Sequence, residues 1–375
     1  MNLIAALFPH WTLGLLFRMM RERGIREPLV ARARSEKSLA RFDRIALVLS
    51  GGGALGAYQA GAYAALENAG VRPNWIAGSA IGAVNAVIIA GNLPHERSFR
   101  LRQFWRELGR RVAIRADAGF HQNLRAAIEG VVARWRKGGA RPPRESSVIP
   151  SSELKDLVEE VVDFGRVNSG SVRVVLGATN LDTGAETFFD NDRHVLTIEH
   201  VLASTALLGM APVTIDGQRY RGAAVSIAPL EDARPADTLC FVIDGYDPVP
   251  GTSGGTSRSA REIAALRRNH DLRRMIALLG ERLPAGLRRD PDIRKCLAEG
   301  SEATMTILRL VHEGADAELP AKMADFSSAA LMRRWQAGES DVGTSLTHPL
   351  WLAPPPRRLG VVVHELRGGV AARPR

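Results

Sequence analysis

Short apolar runs, each ended by glycine or a polar turn, alternate with stretches of helical spacing in the first part of the chain. Residues 45–49 (IALVL) run into Ser50-Gly51-Gly52-Gly53 and read as a parallel strand, since a strand covered on both faces is apolar at every position. Residues 57–69 follow with helical spacing and stop at Gly70, Trp75-Ile76-Ala77 forms a second short strand, and residues 81–90 form a second apolar helix that stops at Gly91-Asn92. A β-α-β-α order with tight turns is the start of a doubly wound α/β sheet. Residues 171–178 and 186–189 flank the hairpin signal Asp182-Thr183-Gly184, a helix is expected over 197–208, and Asp216-Gly217 joins a second hairpin between Val213–Ile215 and Gln218–Tyr220. Residues 238–243 (TLCFVI) are another buried strand, 247–258 (DPVPGTSGGTSR) read as a linker, and the pattern beyond is mostly helical over 259–283, 291–313 and 326–337. The expected organisation is an N-terminal helical segment (1–42), an α/β domain (43–246), the linker, and a helical C-terminal extension (259–375).

Composition narrows the partners. In 375 residues, 45% hydrophobic and 24% charged positions exclude general disorder. Cys240 and Cys296 are the only cysteines, which excludes a disulfide scaffold and suits a reducing compartment, so a cytoplasmic location is expected. The nine histidines are scattered without a His-x-x-x-His pair, and no metal or cofactor is expected. A net charge of +10 favours anionic partners. Residues 95–145 hold thirteen basic and five acidic residues, with Phe99, Phe104, Trp105, Phe120 and Trp135 interleaved. That segment reads either as a solvated basic face or as a contact for an anionic membrane. No groove-reading motif is present, so nucleic acid is not expected as a partner. Residues 3–17 are largely apolar and are followed by Arg18, Arg21, Arg23 and Arg26, the reverse of the charge order in a secretory signal, and they are short for a membrane span. They suit an interfacial helix, which would make the protein peripheral on the inner membrane face, or a helix docked on the domain. Nothing in the pattern specifies an oligomeric state.

Gly51-Gly52-Gly53-Ala54-Leu55-Gly56 lies between a strand and a helix and fits G-x-G-x-x-G. A dinucleotide site would need a carboxylate at the end of the second strand, where the chain reads Trp75-Ile76-Ala77-Gly78-Ser79 instead. No Gly-Lys-Ser/Thr follows, so it is not a P-loop either. What remains is a loop whose backbone N–H groups face an anion at a helix N-terminus, the form of an oxyanion hole. The second strand then runs into Gly78-Ser79-Ala80-Ile81-Gly82 and a helix, which is the strand–turn–helix setting of a G-x-S-x-G nucleophile elbow. Its central position is Ala80, and a methyl group cannot attack a carbonyl.

Together, Ser50–Gly61 (SGGGALGAYQAG), Gly78–Ala86 (GSAIGAVNA) and Asp216–Leu230 (DGQRYRGAAVSIAPL) resemble the patatin-like phospholipase family over roughly residues 43–245. Residues 320–337 resemble the helical C-terminal extension of a bacterial branch of it. The resemblance implies a three-layer α/β/α fold with a mostly parallel sheet, and lipid acyl hydrolysis by a metal-free Ser–Asp dyad. It makes Gly51, Gly52, Gly53 and Gly56 the oxyanion loop, with Leu55 where many members carry Arg or Lys, and Gly78, Ser79 and Gly82 the elbow. Ala80 stands at the nucleophile position. Arg221, which opens Arg221-Gly222-Ala223 with Pro229-Leu230 at the family distance, stands at the aspartate position. Both dyad members are thus absent.

Three explanations are open: a natural, catalytically silent relative, which is the preferred one; an inactivated form of a true hydrolase, natural or engineered; or a shifted dyad of Ser79 and Asp216. A non-lipid interaction protein using the basic 95–145 surface is the alternative from another class. Arg221 either points to solvent or adds charge to donors already poised for an anion, which would suit a fatty-acyl carboxylate or a phosphate. The expectation is a patatin-like scaffold that binds a lipid or acyl ligand without hydrolysing it.

Overall fold

The computed structural model describes residues 39–114, 151–206, 211–222, 227, 229–230, 234–245, 258–312, 319–348, 351–367 and 370–371. The segment 1–38, the basic stretch beyond residue 114 and the expected linker up to residue 257 lie outside these residues, and Arg258 opens a helix instead.

Strand β1 (Arg44–Leu49) leads through a single 3-10 turn into α1 (Gly56–Asn68), followed by β2 (Trp75–Gly78), α2 (Ile81–Ala90) and α3 (Arg97–Ile114). Next come α4 (Ser151–Glu159), α5 (Phe164–Val167), β3 (Arg173–Asn180), β4 (Glu186–Asp190), α6 (Ile198–Thr205), β5 (Val213–Ile215), β6 (Gln218–Gly222) and β7 (Thr238–Asp244). The C-terminal part holds α7 (Arg258–Arg282), α8 (Ala285–Arg288), α9 (Pro291–Leu297), β8 (Met305–Val311), α10 (Leu319–Ala324), α11 (Ser328–Thr347), β9 (Val361–Arg367) and β10 (Val370–Ala371).

All strands among the described residues join one sheet in the order β10-β9-β8-β7-β1-β2-β3-β6-β5, with β4 also on β3. The six strands from β9 to β3 run parallel, and antiparallel pairs close both edges. The larger core lies on one face, where Leu66, Ile88, Phe104, Val201 and Trp335 bring α1, α2, α3, α6 and α11 onto Leu47, Leu49, Ile76 and Leu176. On the other face Ile227, Leu230, Ile263 and Leu266 cover Val48, Val175, Cys240 and Val242. This is a three-layer α/β/α fold with a mostly parallel sheet. Buried on both sides, β7 and β8 are apolar except at Thr238 and Thr306, whose hydroxyls donate to backbone carbonyls, and at Asp244 and Arg309, which pair with each other.

The C-terminal region is helical in large part, but it also completes the sheet. The helix expected over 291–313 is α9 followed by strand β8, because Met305–Val311 is a seven-residue stretch, apolar but for Thr306 and Arg309, that pairs with β7 along its whole length. Buried Arg309 of β8 ties this half to the first, reaching Asp244 of β7 at 3.0 Å and Glu365 of β9 at 2.9 Å. The two halves also meet through α1 and α11, whose backbones touch. A Cβ at Gly61 would lie 2.0 Å from the Trp335 carbonyl oxygen, and one at Gly338 would lie 2.1 Å from that of Tyr58. Among the described residues no helix is long and apolar enough to cross a membrane.

Candidate active site

Between β2 and α2 the chain turns at Ala80, whose φ of 51° and ψ of −125° are unusual for a residue with a Cβ. Such a conformation costs on the order of 1–3 kcal/mol and persists only where the surroundings impose it. The elbow glycines do so by close approach. A Cβ at Gly82 would lie 2.1 Å from the Leu49 carbonyl oxygen, and one at Gly78 would lie 2.5 Å from that of Gly82. The Ser79 N–H continues the ladder to the Leu49 carbonyl at 3.2 Å, and the Ser79 side chain is fully buried.

The glycine loop faces this turn. A Cβ built on Gly51 would meet the Ala80 methyl at 3.3 Å. Gly52 and Gly53, at φ 153° and 56°, turn the chain in a way that favours glycine, and Gly56 packs so closely on the Trp105 ring that a Cβ would lie 2.7 Å from it. Among the described residues, the N–H groups of Gly51, Gly52 and Gly53 donate to no backbone carbonyl. The loop is braced from below by a buried chain of hydrogen bonds. Trp105 Nε1 donates to Asn85, Asn85 donates to Gln59 and to the Gly56 carbonyl, and Gln59 donates to the Ser50 carbonyl at 2.6 Å. Ser50 in turn bonds the Ile243 carbonyl and the Gly245 N–H. From above, α10 closes on the loop, and the Met323 carbonyl oxygen would lie 2.6 Å from a Cβ on Gly53.

Register places Arg221 beside the elbow. On β3, β4 pairs with residues 175–179, so β2 (at 173–176) and β6 (at 178–180) share its other edge. β2 stops at Gly78 opposite Leu176, and Gly222 takes over opposite Ala178, with Arg221 opposite Thr179. The joint is held by Ser204 at the end of α6. Its Oγ accepts from the Ala80 N–H at 3.2 Å and donates to the Gly177 carbonyl at 2.7 Å, while its own carbonyl lies 2.5 Å from where a Gly222 Cβ would stand. Tyr220 turns into the core against Phe189. By alternation Arg221 lies on the opposite face with Thr179 and Val175, and its Nε is buried with no hydrogen-bond partner among the described residues.

Two model matches decide the family. The one described as patatin-like phospholipase matches residues 47–246, and one described as patatin phospholipase matches residues 256–358. The chain belongs to the patatin-like phospholipase family. Solved structures similar to it include VipD from Legionella pneumophila, at 12% identity over 83% of this chain and 71% of that one, with a TM-score of 0.32. The type III effector protein ExoU is similar at 13% identity over 78% of this chain and 53% of that one, with a TM-score of 0.27. No curated protein matches the chain.

In this patatin-like chain the alternative dyad of Ser79 and Asp216 is not brought together. Asp216 (φ 49°) and Gly217 (φ 76°) form the tip of the β5–β6 hairpin, and the stretch of β6 from Gln218, three extended steps or about 10 Å, separates that tip from Arg221. Asp216 instead lines an open cavity of about 480 Å³ at the N-terminal end of α6, together with His194, Glu199 and His200. Burial holds the His200 imidazole below its usual pKa, and its Nδ1 accepts from the Thr197 N–H at 3.0 Å. Among the described residues no three His, Cys, Asp or Glu side chains converge as a metal site.

Sequence reasoning missed Ser204, Gln59, Asn85 and Trp105. For Gln59 and Asn85 a signal exists, since each is a polar residue inside an otherwise apolar helix.

Proposed function

We propose that this patatin-like protein binds an acyl lipid and does not hydrolyse it. A nucleophile elbow kept in its strained geometry, with a methyl group at its tip against a glycine loop whose N–H groups donate to no backbone carbonyl among the described residues, carries this reading. Hydrolysis would need a nucleophile at residue 80 and a carboxylate at residue 221 to take its proton. What the chain keeps is the set of backbone donors for a negatively charged oxygen. Arg221, whose buried Nε has no hydrogen-bond partner among the described residues, adds a reason for an anion rather than an ester: a fatty-acid carboxylate or a phosphate.

Purified protein should show neither burst nor turnover with nitrophenyl esters or phospholipids, and should bind a fluorescent fatty acid. Arg221→Asp should weaken that binding about tenfold or more, a loss of about 1.4 kcal/mol. The double variant Ala80→Ser/Arg221→Asp should gain esterase activity while each single variant stays inert. Turnover by the unaltered chain that disappears in Ser79→Ala would overturn the reading. A folded double variant without activity would favour an interaction module over a disarmed hydrolase.

Attachment to an anionic membrane, at its cytoplasmic face, belongs to the same proposal; the buried thiol of Cys240 and the exposed free thiol of Cys296 suit a reducing compartment. Of the basic stretch 95–145, the described part is α3, and several of its charges are already engaged. Arg110 and Arg111 bond Glu107 and hold its carboxyl down at about 2, Arg111 also reaches Glu160, and Arg97 is buried against the Asn92 carbonyl.

A further inference from the structure

Between β7 and β8 the chain makes a helical excursion. The first turns of α7 pack on the sheet through Ile263 and Leu266, which are buried. Beyond them, among the described residues, α7 is covered on one side only. The Arg273 carbonyl accepts from the Ser301 N–H at 3.1 Å, a Cβ on Gly300 would lie 2.8 Å from the Ala277 nitrogen, and a Cβ on Gly280 would lie 2.9 Å from the Leu297 side chain. The opposite side carries Leu272, Met275 and Leu279, at 57%, 58% and 56% exposure. They are spaced three and four residues apart, and exposed Arg268 and Arg282 continue the spacing at either end. The five side chains form one stripe on a helix with 3.6 residues per turn. Leu287, 48% exposed, and Arg289 extend the surface at the tip of the excursion.

We propose that this stripe is the site at which the protein docks on an anionic lipid bilayer. Charge decides between the occupants. A second copy pairing stripe to stripe would set Arg268 against Arg268 if parallel, or against Arg282 if antiparallel about Met275, so arginines oppose arginines either way. Three apolar side chains also fall well short of the roughly 800 Å² per partner that a stable protein interface buries. An anionic bilayer meets both features. Apolar side chains enter the headgroup–acyl boundary, and the flanking guanidinium groups meet phosphates. Residues 258–300 hold eleven basic and six acidic residues, which gives the whole excursion the right sign. The choice of a lipid partner rests on the acyl-lipid reading above; the location of the contact does not.

The test uses the full chain and vesicles of phosphatidylcholine with and without phosphatidylglycerol, read by co-sedimentation at low and high salt. The unaltered protein should prefer the anionic vesicles, and salt should weaken the preference. Leu272→Asp/Leu279→Asp and Arg268→Glu/Arg282→Glu change only exposed side chains and should each weaken binding to anionic vesicles about tenfold or more, with unchanged thermal unfolding. Variants that bind as well as the unaltered protein would overturn the proposal, and so would absence of vesicle binding. A concentration-dependent dimer that the variants abolish, without any vesicle preference, would make the occupant a second copy. Binding of a soluble fluorescent fatty acid, measured without vesicles, should be the same in the variants. Loss of vesicle docking with fatty-acid binding intact supports the stripe alone, whereas stripe-dependent docking by a protein that binds no fatty acid leaves the stripe standing and removes the acyl-lipid reading.

Discussion

With a hydroxyl that accepts from the Ala80 N–H and donates to the Gly177 carbonyl, Ser204 satisfies two backbone groups at the joint between β2, β3 and β6. Ser204→Ala leaves both unpaired, the Gly177 carbonyl in a buried place and the Ala80 N–H in a partly buried one, at about 1–3 kcal/mol for the first and less for the second. Urea unfolding should therefore show a loss of about 1–4 kcal/mol, and a loss under about 0.5 kcal/mol would mean that the elbow is held some other way. A second residue-scale effect concerns acid. His312 sits 4.8 Å from the Tyr58 ring, and burial, with Arg334 and Lys322 nearby, pushes its pKa down to about 4 from 6.5. The folded protein thus takes up this proton later than the unfolded chain does. The stability this group contributes is whole above pH 6.5, falls as the pH drops, and is gone below about pH 4. A urea series over that window should show a shallower decline for His312→Phe than for the unaltered chain, by on the order of 3 kcal/mol at its end.

Helix α1 pairs with α11 through glycine, with Tyr58 donating to Asp341 at 2.7 Å across the contact. Gly338→Ala inserts a methyl where the Tyr58 carbonyl lies 2.1 Å away, and only a shift of the helix backbone relieves that. Overpacking of this kind costs about 1–3 kcal/mol, and thermal unfolding should fall accordingly, whereas Gly343→Ala on the open side of α11 should be neutral or stabilising. Elements differ in how much of this the sequence discloses. The elbow and the glycine loop are legible because their glycines answer to local demands, a tight turn and a close approach within a few residues. Ser204 is not, since a lone serine near the end of α6 shows nothing of the strand edge it joins. Strand β8 reads as the tail of a helix because a short apolar run fits either period, and only pairing with β7 selects the strand.

At the scale of the molecule, the sheet does not stop where the patatin-like match at residues 47–246 ends. β8 covers the whole edge of β7, and the buried Asp244 carboxylate of β7 has its ion partner, Arg309, in β8. A chain ending at residue 257 would expose that strand edge and leave the carboxylate without its guanidinium, a loss on the order of 3–5 kcal/mol before any apolar area is counted. Such a fragment should be insoluble or unfolded by circular dichroism; a soluble, cooperatively unfolding fragment would show that the first part folds without its C-terminal strands. The start of a doubly wound sheet at β1 and β2 is legible in the β-α-β-α pattern, but not the return of the C-terminal region to the same sheet, which depends on contacts between distant parts of the chain.

The backbone contact between α1 and α11 has a mechanical side. Side chains usually form a compliant layer between packed helices, and there is none at Gly61 and Gly338, so the two rods shear as one. α1 starts at Gly56, where the glycine loop ends, and α10, next to α11 in the chain, rests on Gly53 of the same loop. A force applied to the C-terminal region therefore reaches the anion-facing backbone as displacement, with little lost to rearranging rotamers on the way. The pair behaves as a stiff lever whose short arm is the glycine loop.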